Sequence, residues 1–179
     1  MTTRVRARPL AGPLGILLVL GPWPTLSAQA RPSQHASVMQ VIGATEVTIV
    51  YNRPSARGRQ LFGGLVPWGR VWCPGADQAT TIAFSSDVQV AGQPLKAGKY
   101  SVWAIPDPAQ WTLIFSSATD VWHVPYPGQA RDALRVKAKP EAGPFLETLV
   151  FYFPVVEADR AVLDLAWGET RVPIPITLR

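Results

Sequence analysis

Lys99-Tyr100-Ser101-Val102-Trp103-Ala104-Ile105 is followed, across Pro106-Asp107-Pro108-Ala109, by Trp111-Thr112-Leu113-Ile114-Phe115-Ser116. Both runs are rich in β-branched and aromatic side chains, which suit a pleated, packed surface better than a helix. The prolines between them preset backbone angles for a turn. The segment predicts a β-hairpin. Upstream, Val47, Ile49 and Tyr51 alternate with Glu46, Thr48 and Val50, the period-two signature of a strand. Thr80–Ser85 and Asp87–Val90 predict a further pair across a serine turn, and Ala91-Gly92 and Ala97-Gly98 punctuate the approach to Tyr100. More strands are expected at Val38–Ile42, Leu134–Ala138, Glu147–Phe153, Ala161–Trp167 and Arg171–Leu178. Helix is expected to be confined to a turn or two near Gln129–Leu134 or Gln60–Leu65. Short strands at this spacing predict an all-β domain, an antiparallel β-sandwich of jelly-roll or immunoglobulin-like form with little helix. A closed β-barrel is the alternative. Pro173 and Pro175 lack amide donors on the same lateral side, so the last strand is expected at a sheet edge.

The N-terminus reads differently. Arg4, Arg6 and Arg8 precede an apolar stretch from Leu10 to Leu20, then Pro22, Pro24 and the small-x-small run Ala28-Gln29-Ala30. This is the layout of a secretory signal peptide over residues 1–30, with cleavage after Ala30. Arg31–Ala36 is expected to be a short flexible start, and 37–179 a single β domain. The eleven apolar residues are too few to cross a hydrocarbon core about 30 Å thick, so no membrane span is expected after cleavage. The expected location is periplasmic or secreted.

The charged share is 16%, against about 25% in typical soluble domains. With 47% hydrophobic residues, the chain has ample apolar surface to fold and does not read as disordered. Cleavage would remove three of 17 basic residues and none of 12 acidic ones, leaving +2 on the mature chain. So small an excess gives no reason to expect a nucleic-acid partner. Cys73 is the single cysteine, so no internal disulfide can form, and between Trp72 and Pro74 it reads as a small buried hydrophobe. Two histidines and one cysteine call for no metal site, and no sequence motif calls for a cofactor. His35 is expected to be solvated, and His123 to sit in a loop or at the core edge.

Charge is unevenly spread. Between Glu46 and Asp77 there is no carboxylate, yet the interval holds Arg53, Arg57, Arg59 and Arg70 together with Trp68 and Trp72. The rest of the mature chain is net negative. Guanidinium forks beside flat aromatic faces suit small anionic or carbohydrate-like ligands. Arg53, Arg57, Arg59, Trp68, Arg70, Trp72 and Asp77 are therefore the candidate ligand-binding residues. Asp77 is the nearest carboxylate in sequence and is expected to pair with Arg53, Arg57 or Arg59. No catalytic residue is identified.

Tyr51-Asn52-Arg53-Pro54 with Gly58-Arg59, then Gly75-Ala76-Asp77-Gln78-Ala79-Thr80 and Leu95-Lys96-Ala97-Gly98-Lys99-Tyr100, resembles the bacterial exported family called domain of unknown function 2911. The similarity runs from about Ala36 to Leu178. It implies an exported, predominantly β domain and carries over no catalytic residue. The family pattern has arginine, asparagine and glutamate where this chain has Cys73, Asp77 and Gln78. Three functions stay open at this point: a binding module, a structural or protein-interaction domain of the cell envelope, and a hydrolase using Asp77 with Arg53 or Arg59.

Overall fold

A computed structural model describes residues 1–2 and 33–178. Apart from Met1 and Thr2, the proposed leader and its cleavage site lie outside the described residues. Ten strands and one turn of 3-10 helix (Gln129–Arg131) follow in chain order. They are β1 (Gln34–Ile42), β2 (Thr45–Arg53), β3 (Thr81–Phe84), β4 (Val88–Val90), β5 (Gln93–Leu95), β6 (Gly98–Ile105), β7 (Trp111–Ser116), β8 (Asp132–Ala138), β9 (Glu141–Val156) and β10 (Arg160–Leu178). One antiparallel sheet has the order β1-β2-β3-β6-β7-β8, the other β5-β4-β10-β9. Two sheets with free edges make a sandwich and not a closed barrel.

Alternation explains the core. Val47, Ile49 and Tyr51 on β2 turn inward, as do Leu113 and Phe115 on β7, and they meet Leu149, Phe151, Leu163 and Leu165 from β9 and β10. Fully burying each such side chain contributes roughly 1.5–3 kcal/mol. The Lys99–Ser116 hairpin forms as expected, with Val102 opposite Phe115 and Trp103 opposite Ile114. Trp103 and Ile114 face the other side of this sheet, where with Cys73 and Ala79 they form a smaller apolar cluster.

Four local expectations are corrected. First, β3 and β4 do not pair across Ser85 and Ser86. Both edges of β3 are already taken by β2 and β6, so the two serines carry the chain into the second sheet. Second, β1 begins at Gln34, inside the segment expected to be flexible, because its ladder with β2 extends to Gln34 opposite Arg53. His35 consequently bonds through Nδ1 to Asn52 Oδ1 at 3.2 Å.

Third, the two C-terminal strands are one. Leu163, Leu165 and Trp167 are buried at odd positions, whereas Val172, Ile174 and Ile176 are buried at even ones. A one-residue slip normally turns every side chain to the other face. Here register shifts around Gly168, at φ +60°, absorb the slip without breaking the strand. Fourth, β10 is not an edge strand. Its pairing with β9 ends at Arg171, and its pairing with β4 begins at Ile176. Pro173 and Pro175 occupy the handover, where a missing donor breaks no ladder. The edges of this sheet are β5 and β9, and β9 carries Pro144 and Pro154 at its own register shifts.

Candidate functional site

The connection from Pro54 to Thr80 carries most of the site. Its start is fastened to β9: Ala56 N–H donates to the Glu147 carbonyl at 2.7 Å, and Leu149 N–H to that of Pro54 at 3.0 Å. Arg53 completes this clasp, donating from Nε to the Leu149 carbonyl at 3.1 Å and from Nη2 to Thr148 Oγ1 at 2.8 Å. Further along, Trp72 and Ala104 of β6 exchange two backbone bonds of 2.8 Å, and Gly69 N–H donates to the Pro106 carbonyl. The connection is thus tied to the second sheet at one end and to the first at the other.

Aromatic rings fill the space between. Trp72 stacks on Trp167 of β10 with centroids 6.2 Å apart and planes 12° from parallel. Phe62 meets Trp111 of β7 edge-on at 4.9 Å and Trp72 at 5.9 Å. These separations lie in the favourable range for aromatic pairs. One ring from each sheet and two from the connection make a common wall.

A cleft of about 360 Å³ opens against this wall, lined by Ser55, Arg57, Arg59, Trp72, His123 and Trp167 among others. None of its lining residues is a carboxylate. Arg59 is held by two backbone carbonyls, donating from Nε to Ala56 at 2.9 Å and from Nη2 to Ser55 at 2.6 Å. Carbonyls orient a guanidinium without neutralising it. Arg57 is placed by its own N–H, which donates to Glu147 Oε1 at 2.8 Å. The His123 ring is anchored too: the Asp77 carbonyl accepts its backbone N–H at 2.9 Å and its Nδ1 at 2.7 Å. A carbonyl only accepts, so Nδ1 carries a proton and Nε2 is the nitrogen left for other partners.

Two more recesses adjoin. One of about 460 Å³ is lined by Arg59, Phe62, Trp68, Phe145, Trp167 and Glu169, among others. The next, about 360 Å³, is lined by Trp68, Asp107, Trp111, Glu141, Glu169 and Thr170, again among others.

Of the candidate residues, Arg57, Arg59 and Trp72 share the first cleft, and Trp68 lines the two recesses beyond it. Arg53 instead clasps β9, and Arg70 is exposed and lines none of these three spaces. The expected pairing of Asp77 with an arginine is not found: among the described residues no ion pair includes Asp77. The reason is positional. Arg53 and Arg59 find carbonyl acceptors on the side of β9, whereas by Asp77 the chain has crossed to the loop holding Trp122 and His123. Asp77 serves the site through its carbonyl alone. Cys73 is buried, and desolvation pushes its thiol up to about 12, which leaves it protonated and inert at neutral pH.

Sequence reasoning missed His123 as a cleft residue, along with Trp167, Phe145 and Glu169. In alternating strand sequence, Trp167 reads only as core. No sequence pattern links Val121–Tyr126 to the arginine segment far upstream. No curated protein and no solved structure matches the chain. The family model described as "Protein of unknown function (DUF2911)" matches residues 33–176, and the chain belongs to that family.

Proposed function

We propose that this protein is an exported binding module that holds a small anionic ligand in the cleft of Arg57, Arg59 and His123. The observation that carries this reading is the cleft's lining: two arginines and a histidine, with no carboxylate, against a wall of stacked indoles. Guanidinium–carboxylate contacts are charge-assisted and geometrically selective. The cleft volume falls in the usual range for small-ligand sites. Export rests on the leader layout read from residues 1–30.

The test is a thermal-shift and calorimetric screen of the purified protein against glucuronate, succinate and inorganic phosphate. Ligand at 100 times its dissociation constant adds about 2.7 kcal/mol to stability and should raise the melting temperature measurably. Arg59→Ala should weaken the binding of the responding anion about tenfold or more, because hydrogen bonds to charged groups contribute roughly 1.5–3 kcal/mol. Response to none of the anions, or an unchanged affinity in Arg59→Ala, would reject the reading. Export is checked separately, by N-terminal sequencing of the protein recovered outside the cytoplasm, which should begin at Arg31.

A further inference from the structure

The arginine cleft is one end of a longer groove. Arg59 and Trp167 line both the cleft and the recess beside it, and Trp68, Glu169 and Thr170 line both that recess and the next. The three spaces therefore adjoin in sequence, and their chemistry changes along the way. The first is lined by cationic groups without carboxylates. The middle one is dominated by Phe62, Trp68, Phe145 and Trp167. The last is lined by Asp107, Glu141 and Glu169 with no basic residue.

Trp68 is the pivot of this run. It is 41% exposed, yet its position is tightly defined. Its indole lies 6.1 Å from Phe62 and 29° from parallel to it. Gly63, at φ +81°, makes room for the ring: a Cβ there would fall 2.4 Å from Trp68 Nε1. A solvent-facing indole held this firmly is a preordered platform, which reduces the entropy cost of binding.

We propose that the ligand of the arginine cleft is the acidic end of an oligosaccharide, a neutral glycan capped by one uronic acid, whose following sugars lie along Trp68. The proposal rests on the anion-binding reading above and names the class of ligand. The apolar C–H face of a sugar ring stacks on an indole. The ring's hydroxyls both donate and accept, and so match Glu169 and Thr170 at the edge of the platform. The acidic lobe is better suited to accepting hydrogen bonds than to neutralising a cation. Glu141 is ion-paired with Arg171, and Asp107 Oδ1 is occupied by the Ala109 and Gln110 amides. A second uronate at that end would meet like charge, so the groove disfavours polyuronates and sets the direction in which the glycan lies.

Calorimetry of the purified protein with glucuronate, xylotriose, a xylotriose bearing one glucuronic acid, and a polyuronate of equal length tests this. The capped oligosaccharide should bind about tenfold or more tightly than glucuronate, a difference of about 1.4 kcal/mol. Trp68→Ala should erase that advantage while leaving glucuronate affinity unchanged, and Trp68→Phe should restore part of it. An advantage that survives Trp68→Ala, or no advantage at all, or a polyuronate that binds as tightly, would overturn the glycan proposal and leave the arginine cleft standing. Failure of glucuronate itself to bind removes the glycan proposal, and the arginine cleft falls with it only if succinate and inorganic phosphate also fail to bind.

Discussion

Arg53 and Arg59 show how one residue type takes opposite roles six positions apart. Arg53 spends its fork on the Leu149 carbonyl and Thr148 hydroxyl and joins two strands, while Arg59 leans on carbonyls of its own turn and faces the cleft. Cys73 carries a prediction at this scale. Its thiol sits 3.6 Å from the Val102 carbonyl and is buried, which raises its ionisation from 9.0 to about 12. Maleimide should leave the native protein unmodified at pH 8 and label it once it is unfolded in denaturant. The linkage has a definite sign. Above pH 9 the unfolded chain loses this proton and the folded chain keeps it, so stability attributable to the thiol is full below pH 9 and declines toward pH 12. Denaturant midpoints measured between pH 8 and 10.5 should fall with pH, and fall less in Cys73→Ala. Cys73 was legible as a buried hydrophobe because its neighbours are apolar. His123 was not legible as a site residue, because what places it is the backbone carbonyl of Asp77.

Among the elements, β9 and β10 carry the features that local pattern predicts least well. Asp164 is fully buried on β10, and its Oδ2 accepts from Arg171 Nη1 at 3.0 Å seven residues further along the same strand. Arg171→Ala would leave that carboxylate buried without its partner. Urea unfolding should show a loss of about 3 kcal/mol, the lower part of the range for breaking a buried pair, since Arg171 itself is partly exposed. Pro154 makes a different prediction. It lies at a bulge on the open edge of the second sheet, so Pro154→Thr should change stability by no more than about 0.5 kcal/mol. It should nonetheless increase self-association in light scattering, because it restores a donor to an edge that proline protects. The two prolines of β10 show the limit of reading a strand alone. Their missing donors do fall where the ladder is empty, but the gap is a handover between two partners and not a sheet edge.

At the scale of the whole molecule, the aromatic wall of the site is also the joint between the sheets. Trp111 comes from the first sheet, Trp167 from the second, and Phe62 and Trp72 from the connection that crosses between them. Trp111→Ala should therefore cost about 3–5 kcal/mol in equilibrium unfolding, as expected for removing a buried tryptophan. It should also weaken binding in the groove, whereas Trp68→Ala should cost less stability, because Trp68 is 41% exposed, and lose only the glycan's advantage over glucuronate. The sequence by itself determined the all-β class, nearly every strand and the inward faces, because these depend on alternation between neighbouring residues and on turn chemistry a few positions long. It also marked the arginine–tryptophan segment, because charge segregation is visible without coordinates. Only the tertiary structure decided that β3 and β4 part company, that the last two strands are one, that Asp77 stands apart from the arginines, and that His123, Phe145, Trp167 and Glu169 line the groove. Each of these depends on which surfaces meet when two sheets pack. Such contacts join residues tens of positions apart, and no local period records them.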